Sequence, residues 1–475
     1  MTPIKVLAVA SEIYPLVKTG GLADVVGALP LALRRNDVAT TTLVPGYPAV
    51  MAAVRTAQPQ LAIDDLFGGG ARVLRAHVAD LDLFVLDAPH LFDRPGNPYT
   101  GSDGSEWQDN AFRFGALSWI TMQIGLGEIA GYRPDIVHAH DWHAALTMAY
   151  LAYQNQRRPA TVLTVHNLAY QGQFPADLLQ RLRLPPHAFS IDGVESYGNI
   201  GFLKAGLQFA DRITTVSPTY AGEIQASENG CGLDGLLRAR SAVLSGIRNG
   251  IDIDVWNPES DARIASRFGL ATLSARAPNK AALQRRFGLR EEPDRLLCAV
   301  ISRLAWQKGL DLLADAAPML IARGAQLAML GSGDPELERR FTTLAREHAG
   351  QIGCFIGHDE DLAHLVQAGA DAILVPSRFE PCGLTQLCAM RYGAIPVVAK
   401  VGGLADTVTD LTTGIHFHPV TQDALEAAMH RIADLWSDRG AWQAVQINAM
   451  QTDVSWAEPA DAFLRLYAGL LKPKN

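Results

Sequence analysis

Short runs of apolar residues alternate along most of the chain with longer stretches that have helical periodicity. Four to seven consecutive apolar residues without polar alternation are typical of strands buried on both faces of a parallel sheet. The runs predicted as strands are Ile4–Ala10, Asp135–Ala139, Thr161–Val165, Arg212–Val216, Leu296–Ile301, Gln326–Leu330, Gly353–Ile356, Ala372–Val375 and Ile395–Ala399. Helix-like segments lie between many of them, so the pattern predicts an α/β fold with parallel sheets covered by helices.

The strand pattern divides near residue 245, where SGIRNGIDIDVWNP supplies Gly, Asn and Pro turn signals. This predicts an N-terminal domain over residues 1–245 and a C-terminal domain over residues 246–455. Residues 456–475 are predicted to form an amphipathic helix that could pack on either half. Lys18–Val26 (KTGGLADVV) and Lys400–Val408 (KVGGLADTV) match at seven of nine positions. This internal echo favours two similar Rossmann-like, doubly wound halves.

Composition removes several classes of protein. The 475 residues are 48% hydrophobic and 19% charged, which is enough for a large packed core. The net charge of 41 − 49 = −8 argues against a nucleic-acid partner. No run of 18 apolar residues predicts a membrane span, and the N-terminus is interpreted as a first strand instead of a signal peptide. Five scattered cysteines indicate neither a disulfide framework nor a zinc ribbon, so a reduced, cytoplasmic protein is expected.

Two motifs place cations between a predicted strand and a helix. In KTGGL, Lys18 precedes Gly20 and Gly21, and a glycine pair at a helix start lets backbone amides approach an anion. In SRLAWQKGLDLL, Arg303 and Lys308 are suited to hold both phosphates of a diphosphate and to neutralise a departing one. The simpler interpretations are a tight turn with a solvated lysine and a pair of ordinary surface charges.

A carboxylate follows the strand that ends at Val375. Glu380 lies in PSRFEPCGLTQLCAMRYG, where Gly383, Leu384 and Thr385 are expected to begin a helix whose amides can bind hydroxyl or phosphate oxygens. An acid beside an anion site is suited to binding sugar hydroxyls. The alternative is an acid that only stabilises a helix N-terminus through the helix dipole.

The segment HAHDWH at His138–His143 admits a metal interpretation. Clustered His and Asp side chains can bind zinc, although a binuclear metallohydrolase has the order H-x-H-x-D-H. A strand-to-helix turn capped by Asp141 explains the cluster without metal. His166 and Asn167 are predicted to follow the next strand and to share the same sheet edge. The D-x-D of Ile251–Asp254 is interpreted equally well as a turn.

These segments together resemble the bacterial glycogen synthase and plant starch synthase family, retaining glucosyltransferases of the GT-B fold. The matching stretches occur in family order over nearly the whole chain. They are KTGGLADVVGALP, DRPGNPY, HAHDWH, TVHNLAYQG, RNGID, SRLAWQKG and PSRFEPCGLTQL.

The resemblance implies transfer of glucose from ADP-glucose to the non-reducing end of an α-1,4-glucan such as glycogen, with retention of configuration. It implies two Rossmann-like domains facing each other across a deep cleft, the first binding mostly the acceptor and the second mostly the nucleotide. The terminal helix, residues 456–475, is expected to cross back onto the N-terminal domain. No metal or other cofactor is implied. A front-face substitution assisted by the leaving phosphate is favoured, and a double displacement through Asp141 or Glu380 stays open.

The resemblance also assigns roles to individual residues. It implies that Lys18, Gly20 and Gly21 face the donor diphosphate, that Arg303 and Lys308 contact its phosphates, and that Thr385 with neighbouring amides completes the cradle. Three further groups of roles are implied: a catalytic group, a donor-binding group and an acceptor-side group. The catalytic group is Glu380, Lys308, Arg303, His166 and Asp141. The donor-binding group is Lys18, Gly20, Gly21, Asn249, Gly383, Leu384, Thr385 and His358. The acceptor-side group is Tyr99, Asp24 and Asn167.

One position departs from the family pattern. His358 stands where the family often has a tyrosine that can stack on adenine, so UDP-glucose is the alternative donor. Two other classes remain as alternatives: a metallohydrolase that uses the HAHDWH cluster, and a non-catalytic glucan-binding protein.

Overall fold

The computed structural model describes residues 3–101 and 104–472, and these divide into two compact units. The first unit contains the residues up to Asn249 together with those from Trp456 onward, and the second unit is Gly250–Ser455. The sequence pattern predicted a division after residue 245, four residues before this one. The last three residues of the predicted terminal segment, 473–475, lie outside the described residues.

A nine-stranded sheet forms the centre of the first unit. The strands of this unit are β1 (Ile4–Val9), β2 (Val38–Pro45), β3 (Gln58–Ile63), β4 (Ala71–Val78), β5 (Leu81–Asp87), β6 (Ile136–His140), β7 (Ala160–Val165), β8 (Gln173–Pro175), β9 (Glu195–Ser196), β10 (Asn199–Gly201), β11 (Arg212–Thr215) and β12 (Leu244–Gly246). The order in the sheet is β12-β11-β7-β6-β1-β2-β5-β4-β3, and β8, β10 and β9 form a separate small sheet. From β12 to β5 all neighbours are parallel.

Helices connect the parallel strands. Those of the first unit before residue 250 are α1 (Gly21–Arg34), α2 (Pro48–Ala53), α3 (Pro89–Phe92), α4 (Asn110–Leu126), α5 (Trp142–Ala152), α6 (Phe202–Phe209), α7 (Pro218–Glu223) and α8 (Asp234–Ala239). Successive residues of β1 belong to different cores, because Leu7 and Val9 pack in one apolar cluster and Val6 in another. Helices therefore cover both faces, as a doubly wound sheet requires.

A six-stranded, fully parallel sheet forms the centre of the second unit, in the order β15-β14-β13-β16-β17-β18. Its strands are β13 (Leu297–Ile301), β14 (Gln326–Gly331), β15 (Ile352–Ile356), β16 (Ala372–Val375), β17 (Ile395–Ala399) and β18 (Ile415–Phe417). Its helices are α9 (Ala277–Arg286), α10 (Leu310–Ala322), α11 (Pro335–Glu347), α12 (Glu360–Gly369), α13 (Thr385–Arg391), α14 (Gly402–Thr407), α15 (Gln422–Ser437) and α16 (Arg439–Gln451). Cys298 and Val300 of β13 pack on one face, and Leu297 and Ala299 pack on the other.

The chain ends in α17 (Ala457–Leu471), which belongs to the first unit. Its side chains Phe463 and Tyr467 are buried in a cluster with Val6, Val25 and Ile136. The helix therefore closes the face of the β1–β6 region that α1 also covers.

All nine apolar runs form the predicted strands. An expectation of parallel strands alone was incomplete, because β3–β4 and β4–β5 pair antiparallel and extend the first sheet. These edge strands bury only part of their side chains: β4 alternates between buried and exposed positions over much of its length. A search for uninterrupted apolar runs overlooks such strands.

Candidate active site

The KTGGL loop leads from β1 into α1 with its glycines facing open space. Gly20 occupies the N-cap position and Gly21 begins the helix. A Cβ added to Gly20 would have no atom within 4 Å. Lys18 forms an ion pair with Asp24 at 3.0 Å, and its ammonium lies 5.5 Å from the centroid of the Tyr14 ring. The loop thus offers a positive charge and a helix N-terminus that a ligand can approach closely.

The buried carboxylate of Glu12, which was not identified from the sequence, holds this loop in place through hydrogen bonds. Glu12 is 2% exposed, and it accepts hydrogen bonds from the Thr19 amide, from Thr19 Oγ1 at 2.5 Å and from the Gly20 amide at 3.3 Å. The Tyr99 hydroxyl also donates to Glu12 and lies 2.8 Å from Ser11 Oγ. Burial, followed by the charge of Glu12, raises the pKa of Tyr99 well above its usual value. Tyr99 therefore holds Glu12 through its hydroxyl, so its contribution to an acceptor side would come from the ring.

Asp141 lies at the carboxyl end of β6 in a strained backbone conformation. Its φ of 57° with ψ of −176° is a region that non-glycine residues rarely adopt. The expected side-chain cap of α5 is wrong, because the Asp141 carboxylate makes no capping hydrogen bond. Instead Oδ1 accepts from the amides of His166 at 2.7 Å and Asn167 at 3.4 Å, since the chain after β7 crosses directly over it. Burial raises the pKa of Asp141 to about 7.

The histidines of HAHDWH point to different partners, which removes support from the metallohydrolase alternative. His138 contacts Tyr467 and Thr164, whereas His143 stacks on the ring of Tyr99 at 4.6 Å. His140 Nδ1 lies 3.0 Å from His166 Nε2. Within residues 3–101 and 104–472, no group of three or more His, Cys, Asp or Glu side chains converges on a possible metal position. The D-x-D is a turn, in which Asp252 accepts from the amides of Asp254 and Val255.

Three further predicted residues of the first unit lie at the carboxyl ends of its strands. Asn167 turns its side-chain oxygen to the Ala169 amide at 3.1 Å, and His166 is partly exposed beside it. Asn249 follows β12 and is 9% exposed. Because β12, β7 and β6 are parallel, these residues and Asp141 share one edge of the sheet.

In the second unit, Lys308 and Glu380 meet in an ion pair. Lys308 Nζ lies 2.5 Å from Glu380 Oε2, and Ser377 Oγ donates to the same oxygen at 2.9 Å. The Glu380 side chain is 8% exposed and that of Lys308 is 19% exposed. The sequence placed both residues at strand ends but did not predict the pair. Both known contacts use Oε2, so the other oxygen of the carboxylate is suited to accept from a ligand.

The loops that carry this pair are fastened to each other. Arg378 donates to both oxygens of Asp311, at 2.7 and 2.6 Å, and its amide donates to the Gln307 carbonyl. Gly309 has a φ of 63° and presses against the Pro376 carbonyl, so a side chain there would collide with backbone. The turn after β13 and the loop after β16 therefore form one rigid body that sets the position of Lys308 relative to Glu380.

The segment after Glu380 turns sharply into α13. Gly383 has a φ of 72°, Leu384 is the N-cap and Thr385 is the first helical residue. Gln386, buried and not identified from sequence, donates to the carbonyls of Cys382 and Gly383 and to Thr407 Oγ1. The turn is thereby tied to α14.

The repeated GG pair has a different task in the second unit. Gly403 donates its amide to the Glu380 carbonyl at 3.0 Å, and its Cα packs against the backbone of Cys382. The copy in KTGGL is open, whereas this copy supports the loop that carries the carboxylate. The two similar motifs therefore have different structural surroundings, although they match at seven of nine positions.

Two predicted residues are more exposed than the rest. Arg303 is exposed on the loop after β13, and the His358 side chain is 76% exposed after β15, 3.8 Å from Glu360. Both lie at the carboxyl ends of parallel strands, β13 and β15, which β14 separates, on the same edge as Lys308 and Glu380. An exposed imidazole ring has the freedom to stack on a planar ligand group.

Comparisons with known proteins agree with this arrangement. Residues 5–239 match the family described as the starch synthase catalytic domain, and residues 283–444 match glycosyl transferases group 1. A glycogen synthase of Rhodopseudomonas palustris (strain BisA53) is 60% identical over 484 residues, covering 100% of this chain and 99% of that protein. A glycogen synthase of Methylocella silvestris is 56% identical over 483 residues, covering 100% of both chains.

A solved structure is similar over the same length. It is the catalytic domain of starch synthase IV from Arabidopsis thaliana bound to ADP and acarbose, with a TM-score of 0.91, 30% identity, and coverage of 98% of this chain and 99% of that one. A sucrose-phosphate synthase from Thermosynechococcus elongatus, 18% identical with a TM-score of 0.63 over 98% of this chain and 99% of that one, shares the fold.

Two Rossmann-like α/β units with charged residues at their strand ends, together with these matches, define a glycosyltransferase of the GT-B fold. The predicted fold class is confirmed. The chain belongs to the glycogen synthase and starch synthase family, and it is a glucosyltransferase of that family, as the sequence motifs predicted. No helix of residues 3–101 and 104–472 is long and apolar enough to cross a membrane.

Proposed function

We propose that this chain elongates an α-1,4-glucan by transferring glucose from ADP-glucose to the non-reducing end, with retention of configuration and without a metal cofactor. The single observation that carries the proposal is the Lys308–Glu380 pair at the strand ends of the second unit. A cation for a leaving phosphate and an acceptor for sugar hydroxyls are needed side by side in a glucosyl transfer from a sugar nucleotide. The 60% identity to glycogen synthases supports the choice of glycogen as the acceptor.

We assign the phosphates to the cations. Lys308 has three N–H donors, of which the Glu380 contact uses one, so it can also bind a phosphate oxygen. Arg303 on the same loop and Lys18 beside Gly20 and Gly21 supply further positive charge. Because negative charge grows on the diphosphate as the glycosidic bond breaks, these cations stabilise the transition state more than the ground state.

We assign the glucosyl group to polar side chains at the strand ends. Glu380 accepts from glucose hydroxyls through the oxygen that does not face Lys308, and His166 and Asn249 bind the same sugar. The turn residues Gly383 and Leu384, with Thr385, complete the phosphate cradle through their amides. On the acceptor side we place Asp24, Asn167 and the ring of Tyr99.

We favour a front-face substitution, in which the leaving phosphate assists removal of the acceptor proton. Burial raises the pKa of Asp141 to about 7, and its Oδ1 already accepts hydrogen bonds from two backbone amides. These hydrogen bonds withdraw electron density from Oδ1, which disfavours this oxygen as the nucleophile of a covalent double displacement. Its role on this account is to shape the site around the reacting carbon.

For the donor base we assign His358, whose exposed imidazole is free to stack on adenine. The ADP bound to the Arabidopsis starch synthase supports ADP-glucose over UDP-glucose. We place the reaction in the cytoplasm, because the five cysteines, all within the described residues, form no disulfide with one another.

Transfer of radiolabelled glucose to glycogen tests the proposal. Label from ADP-glucose should enter glycogen faster than label from UDP-glucose. The echo between the two units provides a matched pair of variants: Lys18→Ala should lower kcat/KM for ADP-glucose on the order of 10²-fold, whereas Lys400→Ala, at the equivalent motif position, should leave it unchanged. No incorporation from either donor would overturn the proposed function, and equal loss in both variants would overturn the role of Lys18.

A further inference from the structure

A buried polar chain in the first unit joins the terminal helix to His166. Tyr467 of α17 places its hydroxyl 2.7 Å from His138 Nδ1, and His138 Nε2 lies 2.6 Å from Thr164 Oγ1. Thr164 Oγ1 is in turn 2.6 Å from Thr214 Oγ1. Tyr467, His138 and Thr214 are at most 1% exposed, and they lie in an otherwise apolar layer. Unpaired polar groups are costly in such a layer, so the pattern of donors is tightly constrained.

The direction of these hydrogen bonds follows from counting protons. Burial raises the pKa of Tyr467, so its hydroxyl keeps its proton, and burial lowers the pKa of His138 well below its usual value, so the imidazole is neutral. The tyrosine proton can be donated to His138 Nδ1, which is then the bare nitrogen. His138 consequently carries its proton on Nε2 and donates it to Thr164, which donates to Thr214. One hydroxyl on the terminal helix thus sets both the orientation and the tautomer of His138.

The fixed orientation of the His138 ring restricts the orientation of the His140 ring. The two rings stack with centroids 4.3 Å apart and planes 28° apart. They are two residues apart on β6, so both side chains lie on the same face of the sheet. His140 is 2% exposed, and its Nδ1 lies 3.0 Å from His166 Nε2. In the part of the chain that the structure describes, this is the one hydrogen bond of the His140 side chain.

The contact between His140 and His166 fixes which nitrogen of His166 faces His140 and which nitrogen is left for a ligand. Burial lowers the pKa of His140 to about 3 and that of His166 well below its usual value, so one proton is shared between the two facing nitrogens. The contact joins Nδ1 of His140 to Nε2 of His166, so the orientation of the His140 ring determines where the His166 ring can lie. Nδ1 of His166 is then the nitrogen that does not face His140.

We propose that Tyr467 of the terminal helix is a positioning residue for glucosyl transfer: through His138 and His140 it fixes the ring orientation of His166, so that the nitrogen facing away from His140, Nδ1, is presented to the transferred sugar. The proposal rests on the proposed function, since that assigns His166 to the glucose. It extends the site to a residue 301 positions further along the chain (467 − 166), on the terminal helix α17.

Tyr467→Phe is the direct test, because it removes one hydroxyl and keeps the buried ring. Tyr150→Phe is the matched control: Tyr150 is 2% exposed in the same unit, and its hydroxyl donates to the Leu182 carbonyl at 2.6 Å, away from the histidines. Both variants lose one buried hydrogen bond and should show similar thermal stability. Tyr467→Phe should lower kcat about tenfold or more while KM for ADP-glucose stays within about threefold, as expected when a catalytic contact is misplaced. Tyr150→Phe should leave kcat unchanged.

A spectroscopic measurement tests the same series of hydrogen-bonded side chains without following the reaction. Imidazole ¹⁵N chemical shifts distinguish a protonated nitrogen from a bare one, and His166 can be assigned by comparison with His166→Gln. Wild type and Tyr150→Phe should show His138 protonated at Nε2, and Tyr467→Phe should change the His138 signal and the environment of His166. Equal kcat in the two tyrosine variants, or an unchanged His138 signal, would overturn the proposal. Absence of transfer in the wild type would instead overturn the proposed function.

Discussion

At the scale of single residues, the Lys308–Glu380 pair shows how one contact can serve two purposes. A carboxylate that is 8% exposed needs a counter-charge, which Lys308 supplies at 2.5 Å with help from Ser377. The same ammonium is then fixed where a departing phosphate can use it. Removing Lys308 would leave the buried acid without its cation, so the loss of activity would be mixed with a loss of stability. Substitution of Glu380 separates activity from stability better, because the Lys308 side chain that it leaves without a partner is exposed enough to be hydrated.

Glu380→Ala is therefore expected to lower kcat at least ~100-fold, which corresponds to about 2.7 kcal/mol of transition-state stabilisation. Cys388 is a suitable comparison, because it lies on α13, eight positions after Glu380. Its side chain is 4% exposed and packs in an apolar cluster. Cys388→Ala should retain most activity. Initial rates with ADP-glucose, with folding checked by circular dichroism, decide the matter, and equal damage would mean that the thiol position is catalytic.

Asp141 gives a prediction about pH and stability. Its pKa in the folded protein, about 7, is above the ordinary value of 3.8, so the folded state holds a proton that the unfolded chain has released. The stability from this group is therefore complete below pH ~4 and is lost as pH rises to about 7. Asp141→Asn keeps an oxygen for the amides of His166 and Asn167 but removes the titration. Relative to wild type, its free energy of unfolding should rise by up to ~3 kcal/mol between pH 5 and pH 8.

Urea unfolding at several pH values measures this difference. Asp177→Asn, an exposed carboxylate of the same unit, is the control and should give a constant offset from wild type. Parallel pH curves for Asp141→Asn and wild type would show that Asp141 is ionised throughout.

The sequence identified some of these residues and missed others for a physical reason. Lys308, Glu380 and Asp141 stand in motifs at strand ends, where parallel sheets bind ligands, so local pattern was enough to select them. Glu12 was missed, because its importance depends on Tyr99, 87 residues away, and on amides that only the folded loop brings together. The side-chain cap by Asp141 was wrong, since the preceding strand ends with a backbone conformation that turns the carboxylate toward β7 instead of α5.

At the scale of elements, the two GG turns show that a repeated motif can be open in one unit and packed in the other. A Cβ at Gly20 would meet nothing within 4 Å, and the Gly20 backbone is extended, so Gly20→Ala should fold normally. A Cβ at Gly403 would collide with the backbone of Cys382, whose loop carries Glu380. Sequence similarity predicted equal turns, and only the packing of the neighbouring loop separates them.

Gly20→Ala should therefore leave the free energy of unfolding within ~0.5 kcal/mol of wild type while raising KM for ADP-glucose, because the added methyl blocks close approach to the helix N-terminus. Gly403→Ala should destabilise the protein by ~1–3 kcal/mol, as overpacking does, and lower kcat through the Glu380 loop. Urea unfolding and steady-state kinetics on both variants test this. A destabilised Gly20→Ala with normal KM would contradict the open-loop interpretation.

The strands were predictable where they form uninterrupted apolar runs. Each of the nine predicted runs is a strand, since parallel neighbours and helices on each side favour apolar side chains. β3, β4 and the short β8–β10 sheet were not predicted, because their side chains are partly exposed and their order depends on pairing with distant strands. β2, β5, β12 and β18 were not predicted either, although most residues of β2 and β5 are buried.

At the scale of the whole molecule, the positive charge that we assign to the donor diphosphate comes from lysine and arginine side chains. Lys18 in one unit and Arg303 with Lys308 in the other are the cations on which the account depends, and the histidines of HAHDWH are occupied by Tyr467, Tyr99 and His166. Prolonged treatment with EDTA should therefore leave at least ~80% of the transfer activity, since the fixed cations do the work that a metal does elsewhere. Loss of activity on EDTA and recovery with Mn²⁺ or Zn²⁺ would restore the metal interpretations.

The central claim is that the enzyme moves glucose to a glucan with retention. Proton NMR of the purified chain with ADP-glucose and a maltooligosaccharide follows donor, acceptor and product in one sample. The account predicts that the anomeric signal of ADP-glucose is replaced by that of new internal α-1,4 linkages, with one ADP released per linkage formed. Free glucose in place of a longer glucan, or a new signal of β configuration, would contradict it.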